Sequence, residues 1–364
     1  MQINGNRHMS QESSRDIRAL SQEELQIFFS EQGRKAFHGK QVYEWLWKKG
    51  TTDFSQMTNL SREARKLLAE HFHISALRLD QQQESRDGTI KMAFHTEEGQ
   101  VLESVLIPSG KRATACISSQ IGCKLACTFC ATGKIPFKRN LTVGEIYDQV
   151  TTLRETALQK KGLSLTNIVF MGMGEPLMNY QHVTGAIDML CGDKGLGISP
   201  RRITISTVGI PHYIKKLADQ SYRTELAVSL HSALDETRST LVPINRRYGL
   251  EELKQALKYF VHKTGKRITF EYLMLKDIND SLAEARALAD YSRNFPVKVN
   301  LIEYNEVEGT GYLKSPPEQV EAFKDLLESR NMIVNLRQSR GEDIDAACGQ
   351  LAGKKGNQTD SPNH

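Results

Sequence analysis

The sequence predicts an α/β protein in which a small helical domain precedes a partial barrel of six strand–helix units, a (βα)6 TIM-like arrangement. Two observations predict it. Between residues 20 and 75 the apolar positions follow the helical period, whereas from 111 to 340 short apolar strands alternate with amphipathic helices. Six units are too few to close an eight-fold barrel. We therefore expect an open barrel.

The helical domain, 20–75, follows a polar tail, 1–19, that has no hydrophobic period and should be mobile. Ser21 and Glu24 form an S-x-x-E capping box at the start of the first helix. FHGKQVYEWLWKKG is typical of a second helix, and SREARKLLAEHF of a further one. Basic and aromatic side chains here could neutralise phosphates and stack on bases, although the same spacing is that of an ordinary helical core.

Residues 76–110 change to the strand period. TIKMAFH and QVLESVLIP flank TEEG, a turn-rich tetrapeptide, which predicts a β-hairpin. We expect this hairpin to link the helical domain to the barrel.

The barrel core, 111–340, contains helices with their own start signals. Three of these helices open with predicted capping boxes: Thr142 with Glu145, Ser281 with Glu284, and Ser315 with Glu318, where Pro316 would take the first helical position. The C-terminal segment, 341–364, ends in the polar KKGNQTDSPNH, which we expect to be disordered.

Small or polar residues follow the predicted strands. TNIVF continues into MGMGEP, ITIS into TVG, LAVS into LHS, and VNLIEY into Asn305. Because chemistry in α/β barrels collects at the C-terminal ends of the strands, we expect the functional site there.

The stretch CKLACTFC holds three of the six cysteines, Cys123, Cys127 and Cys130. Zinc sites and cubane iron–sulfur clusters both take four ligands, and no further Cys or His lies within ten residues on the C-terminal side. Cys116 is within reach but lies in or next to a strand. A 4Fe-4S cluster with three thiolates leaves one iron for S-adenosylmethionine (SAM), whose amino and carboxylate groups can chelate it. Zinc remains the alternative.

The composition of the chain limits its expected cellular compartment and the kinds of partner it can have. The net charge of +5 is compatible with a nucleic-acid partner without requiring one. No apolar run is long enough to span a bilayer, and the N-terminus lacks the pattern of a signal peptide. We expect a cytoplasmic protein with no membrane partner, in which clustered cysteines are ligands or catalysts; Cys191, which has no motif partner, is predicted to be structural.

Several long motifs together resemble the RlmN family of the radical SAM superfamily. They are CISSQIGCKLACTFCATG, FMGMGEPLMN, ISTVG, SLHSALDETR, VPINRRY and DIDAACGQLAG. The resemblance covers about 20–353. It implies adenine-C2 methylation of 23S rRNA and of the adenosine 3′ to the anticodon in some tRNAs. Two alternatives stay open: a Cfr-like enzyme that methylates C8 of the same rRNA adenosine, and a zinc-stabilised RNA-binding protein without catalysis.

The resemblance also implies roles for individual residues. The three clustered cysteines would bind the 4Fe-4S cluster, two SAM molecules would be used per turnover, and Glu103 would be a proton acceptor. The implied SAM contacts are Gly174, Glu175, Ser206, Ser229, Leu230, His231 and Asn305. The implied partners are 23S rRNA, tRNA and an electron donor such as a flavodoxin or ferredoxin. We expect a monomer whose helical domain binds RNA.

Two further cysteines are predicted to carry the methyl transfer. Hydrogen is removed more easily from an S–CH3 group than from the aryl carbon of adenine, so a methylated cysteine suits the reaction. Cys348, on a glycine-rich segment that can fold over the barrel mouth, is the expected carrier, as the resemblance also implies. Its adduct with RNA would be released by a second thiol through disulfide exchange. Cys116, at the end of the first barrel strand, is expected to point into the same cavity and to be that thiol.

Overall fold

A computed structural model describes residues 15–220 and 222–353 of the 364. The described chain forms two compact units: residues 15–76 with 192–196, and the remainder from 77. Most of the predicted tail, 1–14, and the predicted disordered end, 354–364, lie outside the described residues. The tail prediction is wrong for 15–19, because Arg15–Asp16 pairs with Phe72–His73 and Ile17 is buried.

The helical unit contains three α-helices and one short two-stranded sheet. Its elements are β1 (Arg15–Asp16), α1 (Gln22–Glu31), α2 (Phe37–Trp47), α3 (Arg62–His71) and β2 (Phe72–His73). The Ser21 capping box is present, with Oγ accepting from the Glu24 amide. Helices α1 and α2 pack so closely that a Cβ on Gly39 would lie 2.4 Å from the Gln26 nitrogen. Only glycine fits this contact.

The second unit is built on one ten-stranded sheet and a separate two-stranded ribbon. The sheet strands are β3 (Arg78–Glu84), β4 (Ile90–His95), β5 (Val101–Ser109), β6 (Arg112–Cys116), β9 (Ser164–Phe170), β10 (Ile203–Thr207), β11 (Glu225–Ser229), β12 (Ile268–Met274), β13 (Val297–Glu303) and β14 (Ile333–Arg337). The ribbon pairs β7 (Gln120–Ile121) with β8 (Arg139–Asn140). The strand order in the sheet is β14-β13-β12-β11-β10-β9-β6-β5-β4-β3.

The seven strands from β6 to β14 in this sheet are parallel, and helices connect them. Those helices are α4 (Val143–Lys161), α5 (Tyr180–Cys191), α6 (Pro211–Asp219), α7 (Asp235–Leu241), α8 (Leu250–Thr264), α9 (Leu282–Ser292) and α10 (Pro317–Ser329). Six crossovers join the seven strands, α7 and α8 sharing one. The predicted partial (βα)6 barrel is confirmed: six strand–helix units run from β6 to α10, and β14, also expected from the sequence as a strand, follows them.

The predicted hairpin is present, but it is not a linker. Strands β4 and β5 pair antiparallel, β3 joins them, and β5 also pairs with β6 of the barrel. The reason is that an apolar strand face continues past the barrel: Met92, Leu102 and Leu106 are fully buried. Residues 76–110 therefore extend the barrel sheet.

Helix starts agree with the sequence in two cases and differ in a third. The Thr142–Glu145 capping box is complete. At Ser281 one half of the predicted box is present: Ser281 Oγ accepts from the Glu284 amide, but the Glu284 carboxylate accepts from Ser232 Oγ. The prediction at Ser315 is wrong because Pro316 has extended backbone and is itself the N-cap, so α10 begins at Pro317. Helix α7 was not predicted, since DETRSTL has too few apolar residues to show a helical period.

The parallel register brings the strand ends of the barrel to one edge. Thr207 pairs with Val228, and Ser229 with Glu271. The Gly-rich segment after β9 and the cysteine loop after β7 lie at the same edge, as the shared lining of one cavity shows. Among the described residues, no helix is both long and apolar enough to cross a membrane.

Candidate active site

A cavity of about 160 Å³ opens at the C-terminal ends of the barrel strands. Nine residues singled out from the sequence line it: Cys123, Cys127, Cys130, Gly174, Glu175, Ser206, Ser229, His231 and Cys348. They come from five separate segments of the chain, so their convergence is a property of the fold and not of sequence proximity. This cavity is the candidate active site.

The cysteine loop is held by close backbone packing. Gly122 has φ +71°, and a Cβ there would lie 2.4 Å from the Pro136 carbonyl oxygen, so only glycine fits. The Cys130 amide donates to the Cys127 carbonyl at 3.2 Å and closes a tight turn. All three cysteines are half-buried and unbonded to one another.

The donor set fits an iron–sulfur cluster. Burial raises the pKa of the Cys123 thiol to about 12 and raises the pKa of Cys127 and Cys130 as well. A thiolate in such a place is stable only beside a cation, and cluster irons supply that charge. Within 15–220 and 222–353, no three His, Cys, Asp or Glu side chains come close enough to hold one metal ion. A 4Fe-4S cluster does not require three side chains around one metal ion, since each thiolate binds a different iron.

Glu175 lies in the cavity wall, where it forms no ion pair with any Lys, Arg or His in the described part of the chain. Its Oε1 accepts from the Leu177 amide at 3.0 Å and its Oε2 from the Val208 amide at 2.9 Å. Burial raises its carboxyl pKa to about 7. The residue is thus an N-cap, but a buried carboxylate on a cavity wall is also suited to a ligand ammonium group. The preceding Gly174 has φ +92°, which brings its backbone to the same wall.

His231 is held in one orientation. Its backbone is left-handed, with φ +60°, and its Nδ1 accepts from the Leu273 amide at 3.1 Å. The other ring nitrogen, Nε2, therefore carries the proton. Burial lowers the His231 pKa to about 3, so the ring is neutral at physiological pH and can donate to a ligand without adding charge.

Cys116 lines a second, smaller cavity of about 70 Å³ that adjoins the first. The expectation that it points into the cavity of the cysteine loop is therefore corrected: Cys116, the last residue of β6, lines the adjoining cavity instead. Cys348 lines both cavities. Burial raises the pKa of the Cys116 thiol to about 12, and the nearby Cys348 raises it further. Both thiols are free.

Three predicted residues lie elsewhere. Asn305 lines the smaller cavity beside Cys116, and Leu230 is fully buried and lines neither cavity. The Leu230 carbonyl accepts from buried Arg238 Nε at 3.1 Å, which fixes the strand end behind the site. Glu103 is buried and also lines neither cavity.

An ion pair at the junction of the two cavities was missed by the sequence analysis. Arg337 lines both cavities, and its Nη1 lies 3.3 Å from Glu271 Oε2 and 3.8 Å from the Met171 sulfur. The positive charge of the guanidinium interacts with both Cys116 and Cys348. No local motif marks it, because the two residues of the pair are 66 positions apart.

Two sequence families match the chain. Residues 15–74 match the family described as the ribosomal RNA large subunit methyltransferase N-terminal domain, and residues 117–289 match the radical SAM superfamily. The first match lies within the helical unit, and the second spans the cysteine loop and most of the barrel.

Relatives match along nearly the whole chain. A probable dual-specificity RNA methyltransferase RlmN of Christiangramia forsetii is 50% identical, covering 93% of this chain and 97% of the relative. The dual-specificity RNA methyltransferase RlmN of Anaeromyxobacter dehalogenans is 44% identical, covering 94% and 92%. A crystal structure of a radical SAM methyltransferase from Sphaerobacter thermophilus superposes with a TM-score of 0.88 at 38% identity, covering 93% and 100%. The resemblance found in the motifs is confirmed: the chain belongs to the RlmN family of radical SAM RNA methyltransferases.

Proposed function

We propose that the protein methylates C2 of an adenosine in 23S rRNA and of the adenosine 3′ to the anticodon in some tRNAs. Adenine C2 is an electron-poor sp² carbon that does not attack a methyl donor, whereas a carbon radical can add to it. The observation that carries the proposal is the position of Cys348, which lines both the cavity of the clustered cysteines and that of Cys116.

The family implies a 4Fe-4S cluster and SAM, and the cavity residues would divide between them. Cys123, Cys127 and Cys130 would hold the cluster. Gly174, Glu175, Ser206, Ser229 and His231 share the cavity and would hold SAM, two molecules of which are used per turnover. When bound, the two cofactors supply a carbon radical that removes hydrogen. Leu230 and Asn305 do not line this cavity. Leu230 would support the SAM site through the packing of its backbone, and Asn305 would contact SAM from the smaller, adjoining cavity.

The chain's own thiols carry and release the methyl carbon. Cys348 would hold the carbon on its sulfur as a methyl group, lose one hydrogen atom from it, and become joined to adenine C2 through the remaining CH2. The C2–H proton and the unpaired electron of the adduct would then leave. Cys116 thiolate would then attack the Cys348 sulfur: an S–S bond forms, the S–C bond breaks, and its electron pair stays on the carbon, which takes a proton to become methyl. Arg337 lies where it can stabilise the attacking thiolate, because it lines both cavities and lowers the otherwise raised pKa of Cys116.

The helical unit would bind RNA. Its sequence match and its exposed groups support this: Phe37 is 48% exposed with Lys35 Nζ 6.0 Å from its ring, and Lys49 Nζ lies 3.4 Å from the Trp45 ring. Aromatic faces beside cations suit unpaired bases and phosphates. The other aromatics of α2 are core residues and are not available for stacking.

The remaining partners follow from this reaction. It needs one electron from a small donor such as a flavodoxin or ferredoxin to start each cycle, and two electrons from a thiol reductant to reopen the Cys116–Cys348 disulfide. Its RNA substrates are cytoplasmic. We extend the proposal to a cytoplasmic monomer that meets such a donor.

The isomer of methyladenosine tests the proposed function. The 23S rRNA and tRNA of a deletion strain and of a strain complemented with this chain are digested and compared by mass spectrometry against authentic standards. We expect 2-methyladenosine only in the complemented strain. Appearance of 8-methyladenosine would favour the Cfr-like alternative, and no change in either RNA would contradict the proposal.

A further inference from the structure

Glu103, the predicted proton acceptor, is engaged by the C-terminal segment, residues 341–353. Its Oε2 accepts from the amides of Ala352 and Gly353 at 2.8 and 2.9 Å, and its Oε1 lies 3.7 Å from Lys91 Nζ. The carboxylate is 3% exposed. Hydrogen bonds from two backbone amides to a charged carboxylate are stronger than hydrogen bonds between neutral groups. Their loss would leave the buried Glu103 charge poorly paired.

The same segment is held at its other end. Asp343 accepts from Ser85 Oγ at 2.5 Å and from the Arg86 amide at 3.2 Å, and the Gly341 amide donates to Asp87 at 3.1 Å. One anchor is therefore the turn between β3 and β4, and the other is Glu103 in β5, so both lie in the antiparallel part of the sheet. The segment forms a strap fixed at its two ends.

Cys348 lies between these anchors, close to the Glu103 end. Gly349 has φ +86° and its carbonyl accepts from the Ala131 amide at 2.7 Å, while Leu351 accepts from Thr132 Oγ1 at 2.6 Å. Gly353 also passes close to β5, since a Cβ on it would lie 3.0 Å from the Val101 carbonyl oxygen. The exposed Cys348 side chain is positioned by these backbone contacts.

We propose that Glu103 is a positioning residue: it fixes the end of the C-terminal strap so that Cys348 stays between the cavity of the clustered cysteines and that of Cys116. The inference rests on the proposed role of Cys348 as methyl carrier. A thiol that must face two sites in one cycle tolerates little displacement, because a shift of about 1 Å in a reacting group can cost on the order of 100-fold in rate. Both Glu103 oxygens are engaged with the strap or Lys91, and neither cavity is lined by this residue.

Two substitutions separate positioning from proton transfer. Glu103→Gln keeps a carbonyl oxygen that can accept the same two amides but cannot take up a proton. Glu103→Ala removes the acceptor. Glu225→Gln is the matched control, since Glu225 begins β11 of the same sheet and pairs with Lys266, and none of the strap contacts involves β11. Iron content and thermal unfolding are recorded for each holoenzyme.

Hydrogen exchange and turnover are measured together. In Glu103→Ala, we expect the amides of Ala352 and Gly353 to exchange at least about tenfold faster, because each loses its hydrogen bond to Glu103. We expect kcat for RNA methylation to fall at least about tenfold, because Cys348 is displaced. Glu103→Gln should keep both values within a factor of about three, with an unchanged pH profile of kcat, since its oxygen accepts the same amides. Glu225→Gln should match the wild type.

The inference requires that kcat falls in those variants in which the strap amides exchange faster, and only in those. It is overturned if Glu103→Gln keeps the strap protected and still loses turnover, which would indicate a proton acceptor. It is also overturned if either variant releases the strap without loss of turnover, or if Glu103→Ala leaves exchange unchanged. If Glu103→Ala does not fold, Glu103→Gln alone decides by the same rule. Failure of the carrier role is distinct: Cys348→Ala would then still methylate RNA, whatever the exchange result.

Discussion

Cys116→Ala, incubated with SAM, reductant and RNA, is expected to accumulate a covalent protein–RNA adduct joined through Cys348. The adduct would form because Cys348 and the cavity of the clustered cysteines are unchanged. It would persist because the adjoining cavity no longer holds the thiol that attacks the Cys348 sulfur. Denaturing gels with labelled RNA would show a slow band, and nuclease digestion followed by peptide mapping would place the linkage.

Two variants control that experiment. Cys348→Ala should bind iron normally but form neither adduct nor methylated RNA. Cys191→Ala, at the end of α5 and away from both cavities, should turn over like the wild type. Normal turnover of Cys116→Ala would contradict the assigned release step.

Replacement of one clustered cysteine is expected to have a comparably large effect. Cys127→Ala should lose most of its iron and sulfide, since three thiolates are the whole protein ligand set of the cluster. RNA methylation should fall below detection. Iron and sulfide analysis and the absorption spectrum after anaerobic purification provide the measurement.

The same measurement separates iron from zinc. Cys191→Ala should retain wild-type iron, which rules out a general effect of cysteine loss. A colourless wild-type protein with stoichiometric zinc would contradict the account and restore the alternative of a zinc-stabilised RNA-binding protein.

Much of the fold could be predicted because its signals are local. Apolar strands such as 268–274 alternate with helices whose N-caps can be recognised from a few neighbouring residues. Thr142 and Glu145, for example, form the capping box that the sequence indicates. Which strands pair is not local. Strands β4 and β5 read as a hairpin, but nothing in their period shows that β5 also pairs with β6.

Part of the candidate site could likewise be predicted from local sequence signals, and part could not. The cysteine loop and the segment at Glu175 are recognisable as motifs, and the fold brings them into one cavity. Arg337 and Glu271 meet only through strand order, so neither signals a role in sequence. Glu103 shows this most clearly. Its hydrogen-bond donors are the backbone amides of Ala352 and Gly353, and a backbone amide cannot be recognised from the type of residue that carries it.

The most direct test of the central claim is the chemical state of Cys348. Anaerobically reconstituted wild-type protein is incubated with SAM carrying an isotopically labelled methyl group, and the peptide containing Cys348 is examined by mass spectrometry before and after addition of RNA. The account predicts one labelled methyl group on the Cys348 sulfur beforehand, and transfer of its carbon to adenine afterwards. RNA methylation by a protein whose Cys348 is never methylated would contradict it.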